Sequence, residues 1–286
     1  MIRASMPNTT QGLSAQKRAA LSVLALVLPV LAGLAWMIVA DAPLRLVATN
    51  LAALTIALVI IALPGRFLHT PATALLCASV MVLTAIAGTE VDNVRRWFAL
   101  GPLHLHSGMM FLPLFIVTLP LLPVILRLAA LALALFATLF QPDLAMTLSL
   151  LGATVFAPAN KAKRFALGIA IAALLAGVMF DRPQPAPVAF VERVIAQAWG
   201  ASTGWFLVLL AGQIAMLGIA LSAQTQGRAL AGFWAGCTIA SMIAPYPSPL
   251  IGGGAAPIIG FGLALCAMRA TQRIAAQGVG KRADLA

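Results

Sequence analysis

Two adjacent arginines, Arg95 and Arg96, precede Trp97 in a chain otherwise poor in charge. Guanidinium forks match phosphate and pyrophosphate oxygens, and an indole beside them can stack or anchor at an interface. These three residues are expected to bind substrate, or else to form an interfacial loop neutralised by Glu90 and Asp92. A second polar group, Gln141-Pro142-Asp143, interrupts an apolar stretch from Leu128 to Pro158. An amide and a carboxylate are costly in hydrocarbon. Asp143 pairs with Arg95 or Arg96, contacts a ligand, or caps the helix starting at Leu144, and Gln141 joins it in the expected binding set. A third group runs from Pro245-Tyr246-Pro247-Ser248-Pro249 into Gly252-Gly253-Gly254. Glycine amides at a helix start can hold an anion, and small residues equally allow helices to pack closely. The glycines are assigned a structural role. His104 and His106 lie near Glu90 and Asp92, but no third ligand has metal-site spacing, so they read as solvated loop histidines with no metal and no cofactor. Cys77, Cys237 and Cys266 read as small buried hydrophobes.

The elements that position these groups follow from composition. Of 286 residues, 62% are hydrophobic and 9% charged, and the mean hydropathy is +1.02. No soluble domain hides that much apolar surface, so lipid is the solvent for most of it. The apolar runs are continuous rather than alternating, which excludes a β-barrel and predicts an all-α polytopic membrane protein. Ten transmembrane helices, some short, are expected at 19–40, 46–64, 71–88, 108–126, 128–140, 144–159, 165–180, 203–223, 229–244 and 253–269. The transmembrane domain then fills 19–269, between a cytoplasmic N-terminal segment, 1–18, and a cytoplasmic tail, 270–286, that is either a frayed helix or disordered. The run at 19–40 exceeds the length of a signal-peptide core and reads as a retained span.

The net charge of +11 does not point to nucleic acid. Five arginines, Arg45, Arg95, Arg96, Arg182 and Arg193, fall on the outer segments, balanced by Asp41, Glu90, Asp92, Asp181 and Glu192; the other basic residues lie on the side of the termini. That asymmetry is the positive-inside pattern, and anionic membrane lipids are the partners it implies. Trp36, Trp97, Trp199 and Trp205 fall near outer ends of spans, as an interfacial belt would place them. Trp234 lies inside one.

In this order and on these spans, the three motifs resemble those of the SEDS family of cell-wall membrane proteins (FtsW, RodA and SpoVE). Members show Asn-Gly-Ala-Arg-Arg-Trp with a following Leu-Gly, then Gln-Pro-Asp-Leu-Gly-Thr, then Pro-Phe-Ile-Ser-Tyr-Gly-Gly-Ser-Ser. Arg95-Arg96-Trp97, Leu100-Gly101, Gln141-Pro142-Asp143-Leu144 and Gly253-Gly254 match. The resemblance implies a multi-pass protein of the bacterial inner (cytoplasmic) membrane, acting in peptidoglycan synthesis, cell shape or cell division. It further implies glycosyltransferase chemistry on a lipid-linked cell-wall precursor, beside a class B penicillin-binding protein or another divisome or elongasome component.

The chain departs from the family where chemistry is expected. The family's loop aspartate position is occupied by Ala189, and the long loop before it is reduced to Asp181 to Gln184 after the seventh span. The Glu and Lys that open the family's fourth span are absent from His106-Ser107-Gly108-Met109-Met110. These losses imply a pseudoenzyme that binds precursor, partner or both. Two alternatives stand beside it: an active, divergent glycosyltransferase with Glu192 or Asp181 as its base, and a lipid-linked precursor transporter or flippase.

Overall fold

Every apolar stretch read as a span is helical where it is described, and proline, glycine or a capping side chain marks most of the described breaks. The structure, a computed structural model, describes residues 15–101, 103–158, 161–179, 186–222 and 225–283. The helices are α1 (Ala15–Val39), α2 (Leu44–Ala62), α3 (Pro71–Ala87), α4 (Ser107–Thr118), α5 (Val124–Phe140), α6 (Leu144–Phe156), α7 (Lys161–Met179), α8 (Val194–Ala201), α9 (Thr203–Leu217), α10 (Ile219–Ser222), α11 (Thr225–Ile243) and α12 (Ala255–Ala283). The N-terminus of α3 shows how locally these starts are written. Thr70 accepts a hydrogen bond from the Thr73 amide at 3.2 Å, and Pro71 occupies the first helical position, where its missing N–H costs nothing.

Gln16–Val39, Leu44–Ala62 and Thr203–Leu221 are long and apolar enough to cross a membrane, and several shorter apolar helices accompany them. Large side chains such as Leu76, Ile86, Ile125, Phe165 and Ile214 are exposed on the outside of the bundle, where lipid takes the place of water. This is a mostly helical membrane protein.

Glycine sets the closest approaches. A Cβ on Gly152 of α6 would collide with the carbonyl oxygen of Gly232 on α11, and one on Gly232 would collide with that of Gly152. One turn on, a Cβ on Gly236 would lie 2.5 Å from the Cα of Ser149. Backbones can approach this closely only where side chains are absent, which is how helices gain packing contact without a hydrophobic drive between them. Around this seam Trp234 stacks on Phe261 of α12, with centroids 5.4 Å apart, and both are fully buried.

The expectation of an all-α chain is corrected in one place. Residues 89–106 form a three-stranded antiparallel sheet, β1 (Thr89–Val91), β2 (Val94–Leu100) and β3 (Leu103–His106), in the order β1-β2-β3. Asp92 and Asn93 both have positive φ (50° and 62°), which suits the two-residue turn joining β1 to β2. The apolar helices on either side dominate the pattern and conceal these short strands.

Three smaller expectations also change. The eighth expected span stays long enough to cross but carries a turn at Gly218 between α9 and α10, and the short α8 precedes it. The tail is helical to Ala283, so the disordered alternative does not hold for its described part. Trp36 is not an interfacial belt residue: it is 4% exposed and packs with Val194, Ile195, Ala198, Leu209 and Ile251, near Trp205.

Candidate functional site

The sheet caps one end of the bundle and carries the adjacent arginines on β2. Alternate residues of a strand face opposite sides, so the pair cannot act as one fork. Arg95 points outward. Its guanidinium meets Glu90 at 2.9 Å and donates to the Ile86 carbonyl at 2.5 Å, with both ends of the ion pair substantially exposed. Arg96 points into the bundle and is 3% exposed. Its Nε donates to the Gln141 carbonyl at 3.0 Å and its Nη2 to the Pro142 carbonyl, while the guanidinium lies 5.4 Å above the ring centre of Tyr246. Arg96 thus holds the Gln141-Pro142-Asp143 turn by its main chain.

Asp143 does what a helix cap does: its Oδ1 accepts from the Met146 amide at 3.1 Å and opens α6. Its other carboxylate oxygen lies 3.1 Å from His106 Nε2. His106 in turn caps α4, with Nδ1 accepting from the Met109 amide at 3.3 Å. That bond leaves the proton on Nε2, on the side of Asp143. The solvated-loop reading of His106 is therefore corrected: it is 6% exposed and part of the buried network, with Trp97 edge-on to its ring at 6.0 Å. Gln141 is fully buried, and its Nε2 donates to the Met81 carbonyl at 2.9 Å. Among the described residues, no group of three His, Cys, Asp or Glu side chains could hold a metal ion.

The proline-glycine segment docks from the other side. Gly252 N–H donates to the Ser248 carbonyl (2.9 Å), Gly253 N–H to the Phe190 carbonyl (2.6 Å), and Gly254 N–H to Asn50 Oδ1 (2.8 Å). All three amides are committed within the protein, which corrects the anion-holding alternative. Asn50 also donates to the Gly252 carbonyl at 2.9 Å, so this one buried amide clamps the segment from α2. Gln213 donates to the Pro249 carbonyl at 2.6 Å from α9.

Glu192 sits where the 186–193 segment crosses Pro247, with which it forms an antiparallel bridge. It is 9% exposed, and Oε2 accepts from the Val188 amide at 3.1 Å. Burial pushes its carboxyl above the ordinary carboxylate range, while the Val188 amide and the charge of Arg96 pull the other way. Phe190 and Arg193 on either side have φ of 62° and 52°, a strained region for residues with a Cβ. Asp181, the other acidic candidate, lies outside the described residues.

The site therefore gathers Arg96, Gln141, Asp143 and Glu192, leaves Arg95 on the rim with Trp97 half-buried, and uses the glycines as a packing floor. Sequence reasoning missed Asn50, Tyr246 and the inward role of His106. Asn50 had a signal, as an amide inside an otherwise apolar span. Tyr246, the chain's one tyrosine, is flanked by prolines. His106 had none, because its partner is far away in the chain.

A sheet-capped helical bundle of this kind has counterparts of the same fold among solved structures. The chain is similar to the rod-shape-determining protein RodA of Thermus thermophilus, with a TM-score of 0.56 at 16% identity over 91% of this chain and 98% of that one. It is similarly close to an aspartate-to-alanine mutant of that protein, with a TM-score of 0.54 at 18% identity over 89% of this chain and 95% of that one. A chain from a peptidoglycan synthase complex, described as coordinating polymerization and crosslinking, gives a TM-score of 0.58 at 18% identity over 87% and 97% of the two chains. No protein-family model matches the chain, and no curated protein matches it. The chain has a RodA-like fold, the fold that the resemblance to the SEDS family implies.

Proposed function

We propose that this is a multi-pass protein of the bacterial cytoplasmic membrane, with ten transmembrane helices and both termini cytoplasmic, which acts in peptidoglycan synthesis as a non-catalytic RodA-like member. It binds a lipid-linked precursor at the sheet end and serves a penicillin-binding partner or another division or elongation component. Arg95 and Trp97, at the rim, meet the pyrophosphate and the interface, while Arg96, Gln141 and Asp143 build the wall behind them. The observation that carries the non-catalytic reading is that the buried acid and imidazole of the site, Asp143 and His106, are each committed to capping a helix. Ala189 at the family's aspartate position supports it.

A second reading, an active glycosyltransferase with Glu192 as base, is favoured by a specific feature of that carboxylate. Burial raises its proton affinity toward the range a general base needs, and strained backbone fixes it in place. The test is polymerisation of lipid-linked disaccharide by the purified protein with candidate penicillin-binding partners, beside an active RodA control. No polymer from wild type, with precursor binding weakened by Arg95→Ala, supports the scaffold. Polymer from wild type that Glu192→Gln abolishes establishes the enzyme instead.

A further inference from the structure

The end of the bundle away from the sheet holds a hollow that the reading above does not use. A cavity of about 130 Å³ lies among α4, α5, α6, α7 and α11. Its depth is apolar, formed by Phe115, Leu131, Leu150 and Ala153 among others, and Arg127 and Lys163 also line it. Arg127 Nη2 donates to the Pro120 and Leu122 carbonyls at 2.7 and 2.9 Å, which leaves its buried Nε with no acceptor. Lys163 Nζ donates to the Val155 and Ala157 carbonyls at 2.6 and 2.8 Å, so its charge stands at the C-terminus of α6. Among the described residues that line the cavity, none is acidic.

We propose that this cavity binds an anionic phospholipid, with part of one acyl chain in the hollow and the phosphate against Arg127 and Lys163. Two cations lining the cavity call for an anion. The apolar depth calls for hydrocarbon, which a soluble phosphate lacks. The volume is small beside the roughly 300–1,000 Å³ of ordinary ligand pockets, so a chain segment fits where a whole amphiphile does not. The surrounding leaflet supplies such a molecule, and basic pockets between membrane helices are its usual seats.

The experiment is native mass spectrometry of the full chain in detergent, titrated with dioleoyl phosphatidylglycerol or dioleoyl phosphatidylcholine. Wild type is expected to prefer the anionic lipid by about fivefold or more. Arg127→Gln and Lys163→Gln each reduce that preference, whereas Arg164→Gln, which removes an exposed neighbouring charge outside the cavity, retains it. Ala166→Phe, which fills the hollow without touching a charge, weakens both lipids. Equal binding of the two lipids by wild type overturns the proposal. So does an equal effect of Arg164→Gln and Arg127→Gln, or displacement of the lipid by excess glycerol phosphate, which carries the headgroup charge without a chain. Unfolding temperatures of all variants are recorded, and because Arg127 also ties two carbonyls, Lys163→Gln and Ala166→Phe carry the test if Arg127→Gln does not fold.

Discussion

The two ends of the bundle treat a buried arginine in different ways. At the sheet end, Arg96 is stacked on Tyr246 and tied to two carbonyls of the turn that positions Asp143. At the far end, Arg127 shares two carbonyls through one nitrogen and keeps an unanswered N–H beside an apolar hollow. A guanidinium enclosed by its own protein is a structural clamp, because removing it strands acceptors that water cannot reach. One that lines an apolar hollow places its charge beside space that packing leaves unfilled. The difference teaches that residue type and burial alone do not separate scaffold from site; the inventory of satisfied donors does.

The comparison breaks most sharply at Arg96. Arg96→Ala strands the Gln141 and Pro142 carbonyls and is expected to cost about 3 kcal/mol, read as a lowered unfolding temperature in detergent. Arg96→Lys recovers only part of this, because a single ammonium cannot reproduce the fork. A stability unchanged by Arg96→Ala would remove the clamp and with it the contrast between the ends. Next comes Gly232→Val, which forces α11 away from α6 and is expected to cost about 2–3 kcal/mol in the same measurement. Asn50→Leu leaves the Gly252 carbonyl and the Gly254 amide without partners and is expected to cost about 2 kcal/mol.

Glu192 sharpens the comparison through pH. Its carboxyl is raised in the folded protein, so over the window between the ordinary carboxylate value and the raised one the native state binds the extra proton. Stability from this group is present at lower pH and falls as pH rises through that window. Glu192→Gln is expected to flatten this part of the pH dependence, measured by unfolding across the acidic range. The smallest effect belongs to Arg95→Ala, within about 0.5 kcal/mol, since its ion pair with Glu90 is exposed. A larger loss of stability there would mean that the rim, too, is structural.

Much of this was legible in the chain itself. The apolar runs mark the helices because hydrocarbon requires every backbone group to be satisfied locally, and a helix does this within one segment. Asp143 as a cap was equally legible, since capping is a matter of three neighbouring residues. The sheet was not, because strand pairing depends on partners and a short strand carries little pattern of its own. Nor was the burial of His106, whose carboxylate partner lies 37 positions away, a separation no local rule reads.

By itself, then, the sequence determined a helical membrane protein, its breaks, and the three polar groups that had to be accounted for. Only the tertiary structure decided which way each group faces: Arg95 out and Arg96 in, the glycine amides closed, Glu192 buried beside Pro247, and Arg127 lining an apolar hollow. The physical reason is that helix formation is satisfied by near neighbours in the chain. Satisfaction of a buried charge depends on what distant segments bring to it, and that is settled only when they pack.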